Sequence, residues 1–117
     1  MIVLKDEGLY CPEGDFFIDP LLPCKNAVIT HAHADHARPG MKNYICTPET
    51  SEIMKLRINN DLLIKEVEYN NEIQINSVKI TFIPAGHVLG SSQIKIDNGS
   101  EVTTVSYTHL RAHETNS

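Results

Sequence analysis

The 117-residue chain carries 10 Lys and Arg against 15 Asp and Glu, a formal net charge of −5, with 41% hydrophobic and 21% charged residues. That length suits one small domain with a real core and no more, and the acidic balance speaks against a nucleic-acid groove built from this stretch alone. The opening MIVLKDEGLY lacks the basic and long apolar regions of a secretory signal, and no apolar run approaches membrane-spanning length, so a cytoplasmic location without a membrane partner is expected.

Along the chain, Cys11, Cys24 and Cys46 are odd in number, widely spaced and free of any CxxC pattern. They read as reduced, mostly buried thiols. Phe16-Phe17-Ile18 forms a short strand closed by Asp19-Pro20, and Ala27-Val28-Ile29 has the uninterrupted apolar character of a strand buried on both faces. Tyr44-Ile45-Cys46 gives a third strand. A helix follows in TPETSEIMKLRI, with Thr47 as N-cap, Pro48 at the first helical position and Glu49 in the first turn. Ile53, Met54 and Leu56 give it an apolar side. Beyond Asn59-Asn60-Asp61, the stretch from Leu62 to Tyr69 and the segments EIQI and VKITFI alternate at period two, with turns at Asn70-Asn71 and Asn76-Ser77. QIKID, the turn Asn98-Gly99 and EVTTV read as a further hairpin. Strands dominate with one inserted helix, so a mixed α/β sandwich is expected.

The densest chemistry lies in ITHAHADHARPG, where His31, His33, Asp35 and His36 fall within six positions directly behind the strand Ala27-Val28-Ile29. Alternate residues in a strand-to-loop turn can project to one side, so His31 and His33 can grip one cation. Asp35 offers a hard anionic oxygen beside His36 for a second. Small alanines between them let the loop pack closely. A polar loop with chance histidines is the plainer alternative, and the HxHxDH spacing behind a buried strand argues against it. Catalytic zinc takes three protein ligands and an open position. His87, in PAGHVLGSSQ just past VKITFIPA, is the candidate third ligand.

HAHADH together with PAGHVLGSSQ resembles the metallo-β-lactamase fold hydrolases, in the branch that includes the β-CASP nucleases. GLYCPEGDFFIDP leading into AVITHAHADHARPG is similar to the bacterial ligase-associated DNA exonucleases, which are also described as mRNA 3′-end processing factors. The resemblance runs from about Gly8 to about Ile96. It implies an αββα sandwich with two metal ions, usually zinc. By that resemblance His31, His33 and His87 hold the first metal, and Asp35 and His36 contribute to the second. Asp35 also serves as the catalytic residue that orients the attacking water. Asp19 would support the ligand loop from behind, although it equally fits a turn residue before Pro20. The implied reaction is phosphodiester hydrolysis of DNA or RNA by a metal-activated hydroxide, with an ATP-dependent DNA ligase as a partner. Arg38, Lys42, Lys55 and Arg57 are scattered and read as solvated, Arg38 being the one placed nearest the cluster.

The family pattern calls for a later bridging aspartate and a last histidine, and neither follows Ile96. Residues 1–104 are therefore expected to be the N-terminal half of the domain, inactive by itself. Residues 105–117, VSYTHLRAHETNS, resemble the translation of a transposon-end adaptor, so His109, His113 and Glu114 are not counted as ligands. Three other readings stand beside the DNA exonuclease. They are an RNA-processing nuclease of the same family, a small-molecule thioester or lactone hydrolase of the same fold, and a non-catalytic metal-binding half-domain. PAGHVLGSSQ argues against the hydrolase of small molecules.

Overall fold

The computed structural model describes residues 1–86 and 90–106. Its first sheet has six strands in the order β1 (Val3–Lys5), β2 (Gly8–Cys11), β3 (Phe16–Ile18), β4 (Asn26–Val28), β5 (Asn43–Cys46) and β6 (Ile64–Glu66). β1 through β3 pair antiparallel, whereas β3, β4, β5 and β6 run parallel. The second sheet is an antiparallel meander of β7 (Ile73–Ile75), β8 (Val78–Pro84), β9 (Ser92–Asp97) and β10 (Val102–Val105). Helix α1 (Pro48–Arg57) crosses between β5 and β6.

The core follows from alternation along these strands. Ile18 and Val28 of the first sheet join Ile80, Phe82, Ile94 and Ile96 of the second in one buried cluster between the sheets. Ala27, Ile29, Tyr44 and Cys46 point the other way and pack with Met54 of α1 in a second cluster. β4 is thus buried on both faces, as its unbroken apolar run anticipates. Three layers result: helix, sheet, sheet. Among the described residues no helix covers the outer face of the second sheet, so of the expected αββα sandwich they show one helix and two sheets.

The helix begins where expected. Thr47 is the N-cap, its hydroxyl accepting from the Thr50 N–H at 3.4 Å, and Pro48 sits in the first turn. Its buried side differs from the expected one. Thr50, Ser51 and Met54 face inward, while Leu56 is 85% exposed. Residues three and four apart share a helix face, and Leu56, two positions beyond Met54, lies almost opposite it. The long strand expected over residues 62–69 contracts to β6, and two strands unforeseen in the opening residues, β1 and β2, pair at the sheet's edge. Asn70 and Asn76 adopt φ of 65° and 52°, so both expected asparagine turns use the left-handed region that asparagine tolerates.

None of the three cysteines forms a disulfide; Cys11 and Cys46 are buried and Cys24 is half-buried. Burial pushes the Cys46 thiol up to about 12 and the Cys24 thiol up to about 11. Only the thiolate reacts with disulfide reagents, and at about pH 8 a thiol with pKa near 11 is roughly one part in a thousand ionised. In the native protein Cys24 is expected to react slowly, about tenfold faster per pH unit, and Cys46 to stay silent until denaturant is added. Stopped-flow thiol titration across pH checks this, and a fast native reaction of Cys46 would contradict it.

Candidate metal centre

The parallel pairing of β3 with β4 decides where the chemistry gathers. Both strands end at the same edge of the sheet, so Asp19, just past β3, lies beside Thr30 and His31, just past β4. Ligands in α/β sheets gather at such carboxyl ends. Asp19 holds φ of 46°, a left-handed backbone that Asp adopts more readily than most residues. This turn aims its carboxylate back across the strand ends.

That carboxyl group is buried and hydrogen-bonded on both oxygens. Thr30 N–H donates to Oδ1 at 2.8 Å, the Thr30 hydroxyl donates to Oδ2 at 2.5 Å, and His36 Nδ1 lies 2.8 Å from the same Oδ2. Burial pushes the Asp19 carboxyl above its ordinary value, while His36 and the two Thr30 donors act in the opposite direction. Both oxygens of the buried group thus have hydrogen-bond partners.

The loop itself turns tightly, with the His36 and Ala37 N–H groups both donating to the His33 carbonyl at 2.9 and 2.8 Å. The imidazoles lie close together, His31 edge-on to His33 and tilted against His36. The ring centroid of His31 is 4.7 Å from that of His33 and 4.1 Å from that of His36. His31 and His36 are buried, whereas His33 and Asp35 are exposed, so the cluster runs from the core to the surface. Its far side is fixed by groups that sequence reading assigned to solvent or to the core. Arg57 Nη2 donates to the Ala37 carbonyl at 2.5 Å, and the Tyr44 hydroxyl donates to the Arg38 carbonyl at 2.7 Å. Arg57 is therefore a brace for the loop. Neither it nor Thr30 carries a motif that could have flagged it; only contiguity with His31 marks Thr30.

The donor set fits a divalent cation. Asp19, His31 and His36 each offer a ligand atom, all within 4.8 Å of one another. His36 Nε2 and Asp35 Oδ2 are 3.6 Å apart. Two ligands on one tetrahedral zinc sit about 3.3 Å apart for bonds of about 2.0–2.1 Å, so that pair needs little movement to share an ion. Asp19 is close enough to be a ligand, but its oxygens already serve Thr30 and His36, which suits it to orienting the histidines. His87 lies outside the described residues, as do His109, His113 and Glu114. The start of β9 lies beside the cluster, its Ser92 N–H donating to the Thr30 carbonyl at 2.7 Å. Among the described residues no helix is long and apolar enough to cross a membrane.

No protein-family model matches the chain. A curated protein of Opitutus terrae named Probable DNA ligase is 28% identical over 93 residues, which are 79% of this chain and 9% of that protein. Among solved structures, the E377D mutant of the CmlA β-hydroxylase is similar with a TM-score of 0.64 and 15% identity, over 90% of this chain and 29% of that one. CmlA itself, a diiron β-hydroxylase from Streptomyces venezuelae, gives a TM-score of 0.52 and 16% identity over 82% of this chain and 21% of that one. A metallo-β-lactamase of Cronobacter sakazakii, solved as a motif mutant, gives a TM-score of 0.62 and 14% identity over 82% of this chain and 53% of that one. The chain thus spans a small share of the curated relative and about half or less of these structures. At such identities the likeness speaks of fold, and the fold of the described residues is metallo-β-lactamase-like.

Proposed function

We propose that this chain supplies the N-terminal ligands of a two-metal phosphodiesterase, in the first instance a DNA exonuclease. The observation that carries the reading is the convergence of His31, His33 and His36 on the carboxyl edge of parallel strands, with Asp35 3.6 Å from His36 Nε2 and Asp19 buttressing from behind. DNA as substrate is supported by the ligase-named relative and by the motif resemblance, and RNA is the alternative polymer. In this reading residues 1–104 belong to the hydrolase domain, with His31, His33 and His87 on one metal and Asp35 and His36 on the other.

When bound, two divalent cations, zinc in the first instance, would supply a water made acidic enough to act near neutral pH and positive charge against the phosphoryl oxygens. The chain's own residues set the geometry. His31 and His36 are immobilised by burial, so they pre-form the site and lose little freedom on binding. Asp35, exposed and adjacent to His36, would also orient the attacking water. The turn bonds to the His33 carbonyl fix the backbone of His36 and Ala37.

Zinc titration of the chain by calorimetry and elemental analysis tests the ligand set. Uptake is expected in the wild type and is expected to be lost in a His31→Ala, His33→Ala double variant, with no more than one tight zinc per chain. The same proteins are assayed on end-labelled DNA, RNA and a small ester. The nuclease reading then rests on the same assay of a protein that carries a bridging aspartate and a last histidine after β10. Ester turnover without nucleic-acid turnover by that protein would replace the nuclease with a small-molecule hydrolase.

A further inference from the structure

We infer that Thr30 is a positioning residue that decides which ring nitrogen His31 presents to a metal, an inference that rests on the metal-site reading above. The argument turns on one proton. The Thr30 hydroxyl donates to Asp19 Oδ2 at 2.5 Å, so its single proton lies on that bond. Toward His31 the hydroxyl has only lone pairs left. His31 Nδ1, 3.0 Å away, must therefore be the donor and carry the ring hydrogen. In a neutral imidazole that leaves Nε2 as the bare, ligating nitrogen.

The same carboxylate oxygen sets the second ring. His36 Nδ1 is 2.8 Å from Asp19 Oδ2, so its hydrogen also faces Asp19 and its Nε2 faces Asp35. One carboxylate thus orders two histidines, His36 directly and His31 through the threonine. The relay is rigid because the Thr30 N–H also donates to Asp19 Oδ1 at 2.8 Å, and a β-branched side chain has few χ1 choices. Thr30 is fully buried, so water cannot substitute for its hydroxyl.

Valine keeps the shape and branching of Thr30 but relays nothing, and serine keeps the hydroxyl. The metal-free wild-type chain, Thr30→Val and Thr30→Ser are compared with isotope-labelled histidine in long-range proton–nitrogen correlation spectra at neutral pH, then by zinc titration. In the wild type His31 and His36 are expected to be protonated at Nδ1 and bare at Nε2. In Thr30→Val the His31 pattern alone is expected to change to a mixture of tautomers, with zinc affinity falling about 10- to 100-fold. Thr30→Ser is expected to restore both. A wild-type His31 protonated at Nε2 overturns the inference, as does a Thr30→Val protein whose spectrum and affinity match the wild type. If the wild type takes up no zinc, the metal reading fails, while the spectra still decide the role of Thr30. If Thr30→Val does not fold, the wild-type spectrum still decides: His31 protonated at Nδ1 supports the inference, and at Nε2 overturns it.

Discussion

Replacing Asp19 with alanine is expected to cost about 3–5 kcal/mol of folding free energy, the range for breaking a buried, hydrogen-bonded charged network by removing one partner. Three donors lose their acceptor at once: the Thr30 amide, the Thr30 hydroxyl and His36 Nδ1, all buried. Alanine must also hold the left-handed φ of 46° with no side-chain compensation. A domain of this size has about 5–15 kcal/mol in total, so the variant should unfold at much lower urea. Asp19→Asn separates charge from shape. Its amide can accept at one atom only, and its NH2 must face a donor, so an intermediate loss of about 1–3 kcal/mol is expected. Zinc affinity should fall in both, because the rings of His31 and His36 lose their orienting partner. Urea denaturation beside zinc titration checks the two effects. Wild-type stability in Asp19→Ala would return Asp19 to the role of a turn residue before Pro20.

How legible this architecture was depends on the range of the forces that make it. The cap of α1 is local chemistry between Thr47, Pro48 and Thr50, and it stood in the sequence as written. The asparagine turns and the meander of β8 to β10 are likewise short-range, set by alternation and by residues that accept positive φ. The histidine cluster was legible because its spacing is itself the signal. The roles of Thr30 and Arg57 were not, since both depend on pairings across the chain. Arg57 reaches a carbonyl 20 positions earlier, and Thr30 meets a carboxylate 11 positions earlier. The same limit explains Leu56. Composition marked it as apolar, but the helix's inward face was chosen by what α1 packs against, and that contact is made by Thr50 and Ser51 with Met54. The edge strand β1 was not legible for a related reason, as it is only three residues long and exposed throughout, so no burial pattern marks it.

The contact that Thr50 makes identifies Gly90 as the position where the smallest change should do the most harm. Gly90 follows directly on the segment that begins with His87 in sequence, and it has φ of 82°. Its carbonyl accepts from the Thr47 and Thr50 hydroxyls at 2.9 Å each, docking the β8–β9 connection on the first turn of α1. A Cβ at Gly90 would sit 2.6 Å from Thr50 Oγ1, 2.7 Å from the Thr50 backbone nitrogen and 3.0 Å from Glu49 Cβ. Backbone cannot step aside as a side chain can. Gly90→Ala therefore combines left-handed strain with overpacking, each about 1–3 kcal/mol, for an expected loss of about 3–5 kcal/mol. Gly99→Ala isolates the first part. Its φ is 92°, and nothing lies within 4 Å of the added carbon, so about 1 kcal/mol is expected there. The difference between the two variants in urea denaturation measures the docking of the connection on the helix. Equal losses would mean that α1 yields to the methyl group and that this contact does not hold the β8–β9 connection in place. A large difference accompanied by weaker zinc binding would tie the docking of that connection to the metal centre, as a ligand at His87 requires.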